Sequence, residues 1–181
     1  MPMFFNLFGK KEKKTTFTDI NYMSAKAKSE AVLRLAREEP DAIFLAWFAD
    51  TAASYKQAFS REGIPESRVL ETRQFHSAKA AGKKIVLLEH HPLRSKEDSL
   101  LKDLEEKSFP VYNSLDEPIF ALFGSDRIID LMKKMGMKED EAVSHSLISK
   151  SVKNAQEKIE KKVTLEIPAN SQKEWIGKNV R

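Results

Sequence analysis

The chain of 181 residues has no cysteine, 41% hydrophobic and 32% charged residues, and a formal net charge of +4. Without a thiol it can form no disulfide, thiolate nucleophile or cysteine-based zinc site, and its longest apolar run, Ala42–Ala49, falls far short of the roughly 18 residues of a membrane-spanning helix. The basic excess lies at the two ends, Lys10, Lys11, Lys13 and Lys14 against Glu12, and Lys173, Lys178 and Arg181 against Glu174, which leaves a near-neutral body without the phosphate-following face that nucleic acid requires.

Residues 1–16 are expected to form a flexible basic segment. Within it Phe4, Phe5 and Phe8 stand beside Lys10 and Lys11, a combination that can touch an anionic membrane surface; the plainer alternative is a frayed terminus. The basic residues follow the apolar start instead of preceding it, unlike a secretory signal. A cytoplasmic protein is expected, peripheral at the inner membrane if that contact is made.

Phe17–Ile20 is a strand candidate, and Ser24–Arg37 a helix whose apolar stripe is Ala31, Val32 and Leu35, ended by Glu39-Pro40-Asp41. The unalternating run Ala42–Ala49 suits a strand covered on both faces. A helix starting at Asp50 or Thr51 should stop at Gly63-Ile64-Pro65 in a left-handed cap. Further strands are predicted at Arg68–Leu70, Ile85–Leu88 and Phe109–Asn113. Between the last two, Ser95 and Asp98 form a capping box for a helix carrying Leu100, Leu101 and Leu104. Strands alternating with helices over short connections predict an α/β fold with an open, mainly parallel sheet flanked by helices.

Leu115–Ile129 reads as two short helices hinged at Gly124. Asp116 is the expected cap of the first, with Pro118 in its opening turn; Ser125 is the expected cap of the second, whose stripe is Ile128, Leu131, Met132 and Met135, ending at Gly136. A last helix, Ser146–Lys162, places Ile148, Val152, Ala155 and Ile159 on one face, to pack on its own domain or on a partner helix. The expected organisation is residues 1–16, an α/β domain over 17–136, a helix over 137–165, and a C-terminal tail over 166–181.

The run Phe123-Gly124-Ser125-Asp126-Arg127-Ile128, then Leu131-Met132, Met135-Gly136-Met137, and Asn154-Ala155-Gln156-Glu157-Lys158 with Glu160 resemble the end of the second RecA-like domain of SecA, the motor ATPase of bacterial protein export, where it enters a long scaffold helix. Asp19, Tyr22, Lys28, Ala31 and Val32, the run Ile43–Phe48, then Glu62-Gly63-Ile64-Pro65, and Phe109–Asp116 extend the likeness over residues 18–163. Phe123, Gly124, Ser125, Asp126, Arg127, Gly136, Asn154, Ala155 and Gln156 are its structural markers. The resemblance implies a RecA-like sheet and, by its departures, no ATP chemistry.

Those departures are specific. No Gly-x-x-x-x-Gly-Lys-[Ser/Thr] phosphate loop occurs, and Gly82-Lys83-Lys84 stands before a strand instead of after one. Where the family has a strand ending in Glu-Arg-His and a helix with two Gly-Arg pairs, this chain has Glu89-His90-His91, then Arg94, then Leu101 and Asp103 at the later finger positions. Leucine stabilises no charge and aspartate repels a phosphate. Arg94 and His91 remain as the nearest candidates for nucleotide contact; no cofactor, metal or catalytic residue is expected, since the histidines lack helical partner spacing and the serines lack a nucleophile elbow. The implied role is a non-catalytic protein-interaction module, its partner a translocase component or a P-loop motor subunit. The alternatives are residual nucleotide binding beside such a subunit and a membrane-surface adaptor.

Overall fold

The computed structural model describes residues 16–104 and 108–180; the membrane-contact candidates Phe4, Phe5, Phe8, Lys10 and Lys11 lie outside them. Five strands, β1 (Thr16–Tyr22), β2 (Ile43–Ala46), β3 (Val69–Glu71), β4 (Ile85–Leu87) and β5 (Ser108–Ser114), form one sheet in the order β1-β5-β4-β2-β3. Every pairing is parallel, as the helix-separated strands predict. No described helix is long and apolar enough to cross a membrane.

Alternate residues of the strands feed two cores, because successive side chains leave a strand on opposite faces. Phe44, Ala46, Val69, Val86 and Leu88 pack beneath α1 (Ala25–Glu38) and α2 (Ala49–Arg61) through Val32, Ala36, Tyr55 and Phe59. Ile43, Leu45, Ile85, Leu87, Phe109 and Val111 pack on the other face beneath Leu101 and Leu104, at the end of α3 (Arg94–Leu101). The strand predicted at 42–49 is shorter because Trp47 and Phe48 leave the sheet to open α2, of which Phe48 is the N-cap residue. Gly63 (φ 67°) closes α2 as expected: the N–H of Ile64 donates to the Phe59 carbonyl and that of Gly63 to the Ser60 carbonyl.

Beyond the sheet, α4 (Pro118–Ala121), α5 (Ser125–Lys134) and α6 (Ser146–Glu160) share a third core of Met23, Leu115, Ile119, Phe120, Met132, Ile148 and Val152. Gly124 sits at φ 76° between α4 and α5, as the hinge requires, and Gly136 at φ 77° closes α5. The buried stripe of α6 packs on its own domain. Outside β1, the N–H and C=O of Asn21 both bond Val143, and the Ser144 hydroxyl donates to the Asp19 carbonyl.

Several local expectations change. Glu117 is the N-cap residue of α4, while Asp116 accepts the Ala25 N–H at the start of α1. Ser125 lies inside α5 and donates its hydroxyl to the Leu115 carbonyl at 2.6 Å. Ser95 and Asp98 form no capping box, because α3 starts at Arg94 and the Ser95 N–H donates to Glu160. On α5, Met132 faces the core, but Leu131 and Met135 are 57% and 71% exposed. The expected tail contains α7 (Gln172–Asn179), and Trp175 is only 1% exposed, packed with Phe48, Leu93 and Ile159. Hydrogen bonds to distant residues decide Asp116, Ser125 and Ser95, and distant apolar contacts decide Trp175, so local capping chemistry cannot anticipate them.

Candidate functional site at the carboxyl edge of the sheet

The chain leaves β2 for α2 on one face and β4 for α3 on the other. In open α/β sheets the crevice outside such a reversal is where ligands bind. Here it is occupied from within. Glu89, two residues past β4, extends its carboxylate to the start of α2, where Oε1 accepts the N–H groups of Trp47 and Phe48 at 3.1 and 3.2 Å and Oε2 accepts the Thr51 hydroxyl at 2.8 Å. A helix N-terminus favours an anion because its first N–H groups lack intrahelical acceptors. Burial pushes the Glu89 carboxyl up to about 7, against the opposing effects of Lys28 and these hydrogen bonds.

Beside Glu89, the Lys28 ammonium donates to Glu117 at 2.5 Å; Lys28 and Tyr55 are buried and Glu117 is partly so. Burial alone would lower the Lys28 pKa, but Glu117, Tyr55 and Glu89 together raise it. Burial pushes the Tyr55 hydroxyl up to about 12. These groups line a cleft of about 470 Å³ together with Thr51, Ser171 and Gln172.

The C-terminal segment closes the edge. Gln172 accepts the Ile119 N–H through Oε1 and donates to the His90 carbonyl through Nε2; the Asp50 N–H donates to the Asn170 carbonyl. Trp175 packs against the His91 ring at 5.4 Å and donates to Glu166 at 2.9 Å. His91 is thereby enclosed by Trp47, Phe48 and Trp175, its Nδ1 accepts the Leu93 N–H, and burial lowers its pKa. It is a core imidazole.

His90 points the other way and lies between two buried carboxylates, Nε2 at 2.6 Å from Asp19 and Nδ1 at 2.8 Å from Glu97. Burial opposes its charge, but Glu97 and Asp19 outweigh burial and raise it to about 10, which makes it an imidazolium at neutral pH. Burial likewise raises Asp19, and the hydrogen bond and charge of His90 bring it net below its ordinary value. Gln156 donates to Glu97 at 3.0 Å and to the His91 carbonyl at 2.8 Å, tying α6 to this network.

Arg94 and His91, the two nucleotide-contact candidates, do not share a site. The Arg94 guanidinium stacks 4.0 Å from the Phe17 ring centre and bonds Asp98 at 3.0 Å, in a groove between α3 and α6 separate from the Glu89 cleft. Among the described residues no cluster of three or more His, Cys, Asp or Glu side chains is arranged to hold a metal. The marker residues divide: Gly124, Ser125 and Gly136 shape the corner, Gln156 joins the buried network, Asp126 and Arg127 are exposed, and Phe123, Asn154 and Ala155 line a groove. Lys28, Glu89, Glu97, Gln172 and Trp175 build the edge without standing out as site residues in the sequence. Lys28 gave a signal, since it falls on the apolar stripe at i, i+3, i+4 and i+7 with Ala31, Val32 and Leu35.

Over 85 residues, 45% of this chain, the sequence is 41% identical to the protein translocase subunit SecA of Acidithiobacillus ferrooxidans. Part of this chain is homologous to SecA. The SecA 1 subunit of Alkaliphilus metalliredigens matches at 34% over 96 residues, 50% of the chain, and the SecA of Acinetobacter baylyi at 35% over 85. The matched stretch is 9% of the first of these relatives and 11% of the second, so about half of this chain corresponds to about a tenth of a SecA protein. No family model matches the chain. Its open parallel sheet is consistent with a RecA-like domain, and the relation suggests a setting in protein export.

Proposed function

We propose that this chain is a non-catalytic SecA-like domain that acts as a protein-interaction module in protein export. The observation that carries the reading is the Glu89 carboxylate bonded to the N–H groups of Trp47 and Phe48, the two residues that lead into α2. In a ligand-binding α/β sheet that place suits a phosphate, and a second anion brought there would meet a carboxylate already present. The packing of Trp175 and Gln172 over the same edge, the missing phosphate loop, and Leu101 and Asp103 at the finger positions all favour loss of ATP chemistry. The partner fitting the homology is a translocase component or a P-loop motor subunit.

Calorimetric titration of the full chain tests this, with ATP alone and then beside purified SecA. The expected result is no saturable ATP heat from the chain and a saturable heat with the protein. Saturable ATP binding lost on Arg94→Ala would overturn the reading in favour of a nucleotide role.

A further inference from the structure

A groove of about 360 Å³ runs between α6 and the α4–α5 corner, lined by Leu122, Phe123, Ser151, Asn154, Ala155, Lys158, Ile159, Lys162 and Val180. The α6 residues Ser151, Asn154, Ala155, Lys158 and Ile159 fall at i, i+3, i+4, i+7 and i+8, one stripe about 12 Å long at the rise of an α-helix, and Lys162 follows just past the helix end. Leu122, 47% exposed, and Phe123 form the facing wall, and Ala155 and Ile159 form the floor. Two lysines and no acidic side chain border it. Among the described residues neither ammonium has a carboxylate partner. The markers Phe123, Asn154 and Ala155, distant in sequence, meet here.

We propose that this groove docks an acidic amphipathic helix of a partner protein, an inference that rests on the chain being an interaction module. A length of about two turns with an apolar floor is the geometry by which a helix lays its apolar face into a groove. Charge selects the occupant: acidic residues at one end of the partner helix would face Lys158 and Lys162, an i,i+4 pair on the rim. The chain's own N-terminal segment is apolar enough, but its Lys10, Lys11, Lys13 and Lys14 would face the same lysines and be repelled. Concavity favours a helix over a flat lipid surface.

Two fluorescent helical peptides with the same Leu and Phe stripe, one flanked by Glu and one by Lys, test the proposal against the full chain by anisotropy. The Glu peptide is expected to bind saturably and about tenfold or more tighter than the Lys peptide, a difference of about 1.4 kcal/mol. Lys158→Glu with Lys162→Glu should reverse that order, and Leu122→Asp should abolish binding. All three positions are exposed, and circular dichroism checks that each variant folds. Equal binding of the two peptides, binding unaffected by the substitutions, or no binding of either overturns the proposal. So does retention of the chain on anionic vesicles, or its self-association in sedimentation, when lost in the lysine variant while the Glu peptide fails to bind. Failure of the peptides with no ATP binding leaves the interaction reading intact, and ATP binding sinks that reading whatever the peptides do.

Discussion

Trp175→Ala removes the side chain that seals the carboxyl edge of the sheet. Trp175 is 1% exposed, contacts His91 at 5.4 Å between ring centres, and bonds Glu166 at 2.9 Å. Truncating a buried tryptophan to alanine costs about 3–5 kcal/mol through lost transfer energy and the residual cavity, and the lost hydrogen bond adds about 1 kcal/mol. At about 2–4 °C per kcal/mol for a chain of this size, the melting temperature should fall by on the order of 10 °C, and Trp175→Phe by much less. If α7 detaches as a unit, the global loss is capped at its docking free energy, so hydrogen exchange is read alongside melting. Protection should be lost over residues 166–180 and around Phe48 and His91, and retained in β2 and β4. A variant within about 1 kcal/mol of the parent, with unchanged exchange over 166–180, would refute the packing argument.

Stability should decline as pH rises from 6.5 toward 10, because unfolded His90 releases its proton near 6.5 while the folded imidazolium holds it to about 10; urea unfolding at the two limits checks this, and a decline of equal size in His90→Gln would refute it. Glu89 is also raised, from 4.5 to about 7, so its contribution is full below 4.5 and lost as pH rises through 7. Glu89→Gln, neutral and isosteric, should therefore keep or raise stability at neutral pH, whereas Glu89→Ala leaves the Trp47 and Phe48 N–H groups without an acceptor and should cost about 1–3 kcal/mol; the reverse order in denaturant titration would count against the geometry. Arg68 donates to the carbonyls of Ala36 and Glu39 at the end of α1 and of Ala42 just before β2, and stacks on Phe44. Arg68→Ala should cost about 2–4 kcal/mol, with Arg68→Lys recovering little because an ammonium cannot match the planar fork; full recovery by lysine in the same titration would contradict this.

What the sequence made legible was local. Gly63, Gly124 and Gly136 mark turns that only a left-handed residue closes cheaply, and all three adopt positive φ. The unalternating Ile43–Ala46 run is a strand with both faces covered, and Ile148, Val152, Ala155 and Ile159 point inward at helical spacing. Illegible were the partners supplied by distant segments. Trp175 finds its pocket in Phe48 and His91, Asp116 gives up its expected cap to accept the Ala25 N–H, and Glu117 accepts from Lys28 across the fold. His90 and His91, neighbours in sequence, face opposite ways, and only the structure shows one caged by aromatic rings and the other held between carboxylates.

The bridge from Val143 to Asn21 bears on how this chain can associate. An outer strand with unmet main-chain groups invites another chain to continue the sheet. Here the Asn21 amide and carbonyl and the Asp19 carbonyl are already engaged on that side, and the opposite border, β3, is only three residues long. Among the described residues, β1 is thus partly covered and β3 is short, so neither border offers a long open run on which a guest strand could register. Complexes of this chain should therefore be built from side chains on helical surfaces, with their specificity written in charge and shape.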